Sequence, residues 1–254
     1  MANENLRKFL EETRLMISSG AIKFNYEMML ETRYRRWLMP GDTVLDIGAH
    51  TGRHLGAFLD CVGETGQVLA FEPLPLAFEV LKRKYSGTIA VLNNVALAKT
   101  SGRAEFTFAQ GTPEESGLKQ RVFNHPEKAH PQVIDVQVET LDAYCQHLNN
   151  LSFVKIDIEG GEIGCLQGGE QTLARFRPLV SVEYGFPSYS VYGHTKDTLF
   201  DFAANAGYQL FDIFLNDLSD RDNWNLCCDY ICWDFFMVPN ERVTEFVERV
   251  GQRH

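Results

Sequence analysis

The stretch DTVLDIGAHTG, residues 42–52, passes from an apolar strand into a loop punctuated by Gly48 and Gly52, with Asp46 just ahead of it and His50 inside it. A glycine directly after a buried strand lets the backbone turn sharply and approach a ligand closely, and a second lets the following helix pack against the sheet. Twenty residues beyond Gly52, the second apolar run QVLAFEP ends in Glu72. A carboxylate there suits both hydroxyls of a ribose. Pro73 then opens the next helix with its φ already set and no N–H left without a partner.

Outward from this pair, short apolar runs alternate with amphipathic stretches: TVLDIG, a helix near 53–62, QVLAFE, a helix near 75–85 and IAVLNNVAL. The rhythm resumes with LSFVKIDIEG, a helix near 162–174, RPLVSVEYG, a helix near 196–206, YQLFDIF and YICWDFFMV. Such alternation is the signature of a doubly wound parallel α/β sheet. GRAEFTFA and QVIDVQVET read as an added pair of strands. Residues 1–40 carry helical periodicity broken near Gly20, so the chain divides into an N-terminal helical extension, a cap or dimer contact, and a Rossmann-like domain over 41–254. Residues 110–131 lack periodicity and form an inserted loop rich in positive charge, read either as a substrate lid or as a solvated insertion.

The 254 residues carry 44% hydrophobic and 23% charged side chains, ordinary for a globular enzyme. A formal charge of −10 argues against nucleic acid, whose phosphates require a basic face. No apolar run approaches the roughly 18 residues of a membrane span, and the amino terminus lacks a signal-peptide core. The expectation is a cytoplasmic protein. Six cysteines without a C-x-x-C pair form no zinc or disulfide framework; those of CCDYIC read as reduced residues on a strand.

The glycine spacing D-x-G-x-x-x-G departs from the G-x-G-x-x-G of dinucleotide enzymes, which leaves an NAD-dependent oxidoreductase as the alternative. An aspartate beside the loop suits a ligand with a sulfonium and an amino group. LDIGAHTG, FEP, NNVALA, VETLDAY, FVKIDIEGGE and PLVSVEYG, in that order over residues 42–184, resemble the FkbM family of class I S-adenosylmethionine-dependent methyltransferases. His50 stands where that family usually has asparagine. The resemblance implies a Rossmann-like seven-stranded sheet whose last strand is antiparallel, and methyl transfer to a hydroxyl of a sugar, polyketide or similar small molecule. It also implies that Asp46, Gly48, His50 and Gly52 line the cofactor, that Glu72 holds the ribose, and that Asn94 or Val95 lies near the adenine.

A hydroxyl acceptor needs its proton removed. Asp157 and Glu159 at the end of one strand and Glu183 at the end of the next are the acidic candidates. They serve either as direct bases or as oxygen ligands of Mg²⁺, which would acidify the hydroxyl. His194 and His54 are further candidate bases. Glu162 reads as an early-helix residue favoured by the macrodipole. Tyr184, Phe186, Tyr189 and Tyr192 form either an acceptor wall or a core or dimer contact. Lys119, Arg121 and Lys128 either steer an acceptor that carries phosphate or carboxylate or are ordinary solvated surface charges. A homodimer and a non-catalytic cofactor-binding partner protein remain open alternatives at this level.

Overall fold

A computed structural model describes residues 2–251. Two helices come first, α1 (Ala2–Ser18) and α2 (Tyr26–Trp37). Asn25 caps α2 by accepting from the Met28 N–H, and Arg35 and Arg36 occupy its last turn, where the helix dipole favours cations. Then follow β1 (Thr43–Ile47), α3 (Leu55–Val62), β2 (Gln67–Phe71), α4 (Pro75–Tyr85) and β3 (Ala90–Asn93). A smaller unit holds β4 (Ala96–Leu97), β5 (Gly102–Ala109), α5 (Pro126–Ala129) and β6 (Pro131–Glu139). After α6 (Leu141–Cys145) come β7 (Phe153–Ile156), α7 (Glu162–Gln167), α8 (Glu170–Phe176), β8 (Leu179–Glu183) and α9 (Phe186–Tyr189). The chain closes with α10 (Lys196–Asn205), β9 (Tyr208–Asp212), α11 (Arg221–Cys227), β10 (Asp234–Pro239) and α12 (Val243–Val250).

Seven strands form one sheet in the order β3-β2-β1-β7-β8-β10-β9. All neighbours run parallel except β10, which is antiparallel to both β8 and β9. The sheet is therefore the one expected, with the last strand inserted beside the edge. Every residue of β1 and β7 is buried, as strands covered on both faces must be. A second sheet, β4-β6-β5, contains the added antiparallel pair, in register from Gly102 opposite Val138 to Ala109 opposite Pro131.

Three local readings change. IAVLNNVAL is not one strand, because the chain leaves the large sheet after Asn93 and enters the small one at Ala96. The helix near 162–174 breaks at Gly168 and Gly169, where a Cβ would overlap the Ala98 carbonyl and the Leu141 side chain respectively. Cys227 ends α11, and Cys228 and Cys232 lie in the turns before β10, so the buried free cysteines of CCDYIC stand outside a strand.

The N-terminal helices share the main core. Leu10, Leu30, Tyr34 and Trp37 are buried in it, with α1 packed on α11 and α2 on α3 and α12. The Tyr26 hydroxyl donates to the Ile231 carbonyl at 2.6 Å. Among the described residues no helix is long and apolar enough to cross a membrane.

Candidate active site

Where β1 ends, Gly48 (φ +85°) turns the chain, and the N–H groups of Gly48 and Ala49 both donate to the Phe71 carbonyl at 3.0 Å. His50 takes a left-handed φ of +47° and donates its N–H to Glu72 Oε2 at 2.8 Å. Glu72 Oε1 accepts from the Leu74 N–H at 2.7 Å. The first loop and the end of β2 are thus tied together through one carboxylate. Burial pushes the Glu72 carboxyl up to about 7, against the pull of those two hydrogen bonds.

A cleft opens over the carboxyl ends of β1, β2 and β7, where ligands bind in open α/β sheets. Asp46, Gly48, His50, Glu72 and Val95 line it together with Asp157 and Glu159. Two expected contacts lie elsewhere. Gly52 faces away from the cleft, where a Cβ would overlap the Tyr85 ring and its carbonyl accepts from the Tyr85 hydroxyl at 2.9 Å. Asn94 braces the loop from outside, its Nδ2 donating to the carbonyls of Glu72 (2.8 Å) and Pro73 (3.1 Å).

Asp46 and Lys155 stand side by side on β1 and β7. The Lys155 ammonium binds Asp157 Oδ2 at 2.8 Å. Burial pulls Lys155 down, but the charges of Asp157 and Asp46 outweigh it and raise its pKa. For Asp157 burial works upward, and Lys155 with a hydrogen bond from Glu183 overcomes it, so Asp157 stays ionised. Glu183 is raised well above the carboxylate range, first by the charge of Asp157 and then by burial. The charge that Lys155 holds on Asp157 thus favours the neutral form of Glu183. Asp234, opposite Glu183 on β10, is pushed up to about 7 by burial and by Asp157.

Glu159 departs from the expected convergence. Its φ of +58° sends the side chain to the buried Arg121 guanidinium and to the Ser188 hydroxyl, 2.9 Å away. Burial and the charge of Asp157 push it up to about 8. With Asp157 held by Lys155 and Glu159 by Arg121, no group of three or more His, Cys, Asp or Glu side chains among the described residues is arranged to hold a metal ion. The proposed Mg²⁺ set of Asp157, Glu159 and Glu183 is therefore corrected. Arg121 is likewise corrected from a steering charge to a buried partner that ties the 110–131 loop to the end of β7.

His194 follows the turn after α9, outside the cleft lining, with its pKa lowered by burial and by Lys119. None of the four aromatic residues lines the cleft, and only Tyr184 and Tyr189 are core. Tyr184 stacks on Tyr189 at 4.5 Å and donates to the Thr195 carbonyl at 2.7 Å, while Phe186 is exposed. Glu162 is fully buried, its Oε1 accepting from the N–H groups of Ile158 (3.2 Å) and Gly160 (2.9 Å).

Residues that sequence reasoning missed complete the walls. Pro113, Ser116 and Leu118 of the loop and Phe106 of β5 line the cleft, and so does Glu27 of α2. Glu27 Oε2 lies 2.7 Å from His54 Nε2, and His54 Nδ1 lies 3.1 Å from the Tyr34 hydroxyl. With both ring nitrogens occupied, His54 braces the wall rather than offering a free base.

The cleft fits S-adenosylmethionine on the residues present. Asp46 is 1% exposed, and neither of its carboxylate oxygens has a hydrogen-bond partner among the described residues. A buried carboxylate left without a donor is costly, and a ligand bearing an amino group would satisfy it. Gly48 lets the loop backbone close onto the Asp157 carbonyl at the floor of the cleft, and Glu72 keeps lone pairs free for ribose hydroxyls.

The chain is similar to several known proteins. The chain is 26% identical over 193 residues to the 2-O-methyltransferase NoeI of Sinorhizobium fredii (strain NBRC 101917 / NGR234), covering 71% of this chain and 76% of that protein. A solved methyltransferase FkbM from Methylobacillus flagellatus KT superposes with a TM-score of 0.48 at 14% identity, covering 93% of this chain; the chain spans 59% of that structure's length. A SAM-dependent O-methyltransferase from Thermotoga maritima gives a TM-score of 0.44 at 10% identity, covering 89% of this chain and 71% of that one. Residues 46–210, more than half of the chain, match the methyltransferase FkbM domain, and the chain belongs to that family of methyltransferases.

Proposed function

We propose that the protein transfers a methyl group from S-adenosylmethionine to a hydroxyl of a small molecule, with Asp157 receiving the hydroxyl proton. The observation that carries this reading is the shared cleft: Asp46, Gly48 and Glu72 line it together with the ionised Asp157. The likeness to a 2-O-methyltransferase supports oxygen as the acceptor atom.

When bound, the cofactor supplies an electrophilic methyl group on sulfonium, so the chain's own work is alignment and proton removal. Glu72 would hold the ribose and Val95 would stand on the adenine side. Asp157 would hold the acceptor hydroxyl and accept its proton as the oxygen takes the methyl group from sulfur. Lys155 keeps Asp157 ionised until then. Such positioning is worth roughly 7–11 kcal/mol and a base a further factor of about 10² to 10⁴. Glu27 on α2 supports a cap role for residues 1–40 at one side of the cleft.

Thermal unfolding with saturating S-adenosylhomocysteine, and separately with NAD, tests the cofactor half. A ligand at about 100 times its Kd adds roughly 2.7 kcal/mol, or about 5 °C or more for a domain of this size. Labelled methyl transfer to paired hydroxyl and amine acceptors tests the other half. Products only on nitrogen would reject oxygen transfer.

A further inference from the structure

Two oppositely charged side chains stand on the wall of the cleft that the family match does not reach or does not explain. Glu27 belongs to α2, ahead of residues 46–210. Arg53 lies just before α3, and its guanidinium meets Glu31 of α2 at 3.1 Å. Both line the cleft with Asp46. Among the described residues only Oε2 of Glu27 is engaged, by His54, and Arg53 uses one of its five donors on Glu31.

Their place along the cleft is informative. Glu27 is in electrostatic reach of His54, Lys155 and Asp157, on the β1–β7 side. Glu72, the candidate ribose ligand, ends β2 on the other side. A ligand with its ribose at Glu72 that reached across the Gly48 turn would come to the side of the cleft that Asp46 and the half-exposed Glu27 and Arg53 line. The buried, unpartnered Asp46 oxygens call for a donor there.

Resting on the cofactor reading above, we infer that the N-terminal helix completes the site for the amino-acid end of S-adenosylmethionine: Glu27 and Asp46 receive its ammonium, and Arg53 its carboxylate. His54, held by Tyr34, is the positioning residue that aims Glu27. An extension outside the matched domain is thereby part of the cofactor site.

Calorimetric titration of the full chain tests this without any acceptor. The probes are S-adenosylhomocysteine, its decarboxylated analogue, which keeps the amine, and 5′-methylthioadenosine, which lacks the amino-acid end. Glu27→Gln should weaken the first two about 10-fold, as expected for a lost hydrogen bond to a charged group, and leave 5′-methylthioadenosine unchanged. Arg53→Gln should weaken S-adenosylhomocysteine alone, and Glu27→Asp should restore part of the loss. Equal weakening of all three probes by Glu27→Gln, or weakening of none, overturns the assignment. If wild-type protein binds none of the probes, the cofactor reading falls and this assignment with it.

Discussion

The α-carbon of Gly48 packs directly on the carbonyl oxygen of Asp157, so that any Cβ at position 48 would overlap it. The turn after β1 and the end of β7 are thus in backbone contact at the floor of the cleft. Gly48→Ala must push these strand ends apart and also hold alanine at φ +85°. Overpacking costs about 1–3 kcal/mol, and the left-handed backbone adds roughly 1–2 kcal/mol. We expect the unfolding temperature to fall by about 5 °C or more and S-adenosylhomocysteine binding to be lost. Wild-type affinity in the variant would show that the loop does not form the cofactor floor.

Arg121 and Glu159 form a buried ion pair between the inserted loop and the end of β7. Without Arg121 the buried Glu159 takes up a proton, and the loss of a hydrogen bond to a charged group costs about 1.5–3 kcal/mol. Arg121→Met should therefore lower the unfolding temperature by roughly 5 °C, and Arg121→Met with Glu159→Gln should lower it no further. A charge that merely steers acceptor would raise KM and leave stability untouched, which chemical denaturation distinguishes.

The contrast between these two contacts shows what local pattern reveals. Gly48, Glu72 and the strands that carry them were legible because buried parallel strands, their glycine turns and the following helices are encoded within about 30 residues of chain. Asp157 was legible for the same reason, as an acid at a strand end. Arg121 read as solvated because its partner lies 38 residues away and only tertiary packing brings the two together. Glu27 gave no signal at all. Its position in the first turn of α2 explains it fully as a dipole-favoured acid, and its contact with His54 depends on how α2 docks on α3. The Gly168–Gly169 break was invisible for a similar reason, since the obstacles are Ala98 and Leu141.

Glu162 carries a pH dependence of defined sign. Burial pushes its carboxyl up to about 7, from an ordinary value of 4.5. The folded state therefore holds a proton that the unfolded chain has released across that interval. Its stabilising contribution is complete below pH 4.5 and is lost as the pH rises towards 7. Glu162→Gln should flatten stability against pH in this window by about 1 kcal/mol per pH unit, read from denaturant midpoints at successive pH values. Parallel profiles for variant and wild type would mean that Glu162 is ionised in the fold.

Asp157 is lowered by Lys155 and Glu183 is raised by the charge of Asp157 at the ends of β7 and β8, and Asp157 lines the cleft. Asp157→Asn removes the acceptor for the hydroxyl proton while keeping the side chain's size. The expected result is a fall in kcat of about 10² to 10⁴ with S-adenosylhomocysteine binding retained. Glu183→Gln keeps a donor to Asp157 but cannot release a proton, so it should lower kcat less and shift the acid limb of the pH–rate profile. A chelator should leave the rate unchanged, because Lys155 and Arg121 already hold the carboxylates that a cation would need. A rate restored in chelated enzyme by Mg²⁺ alone would return the metal to the site, and an undiminished rate in Asp157→Asn would move the base elsewhere along the cleft.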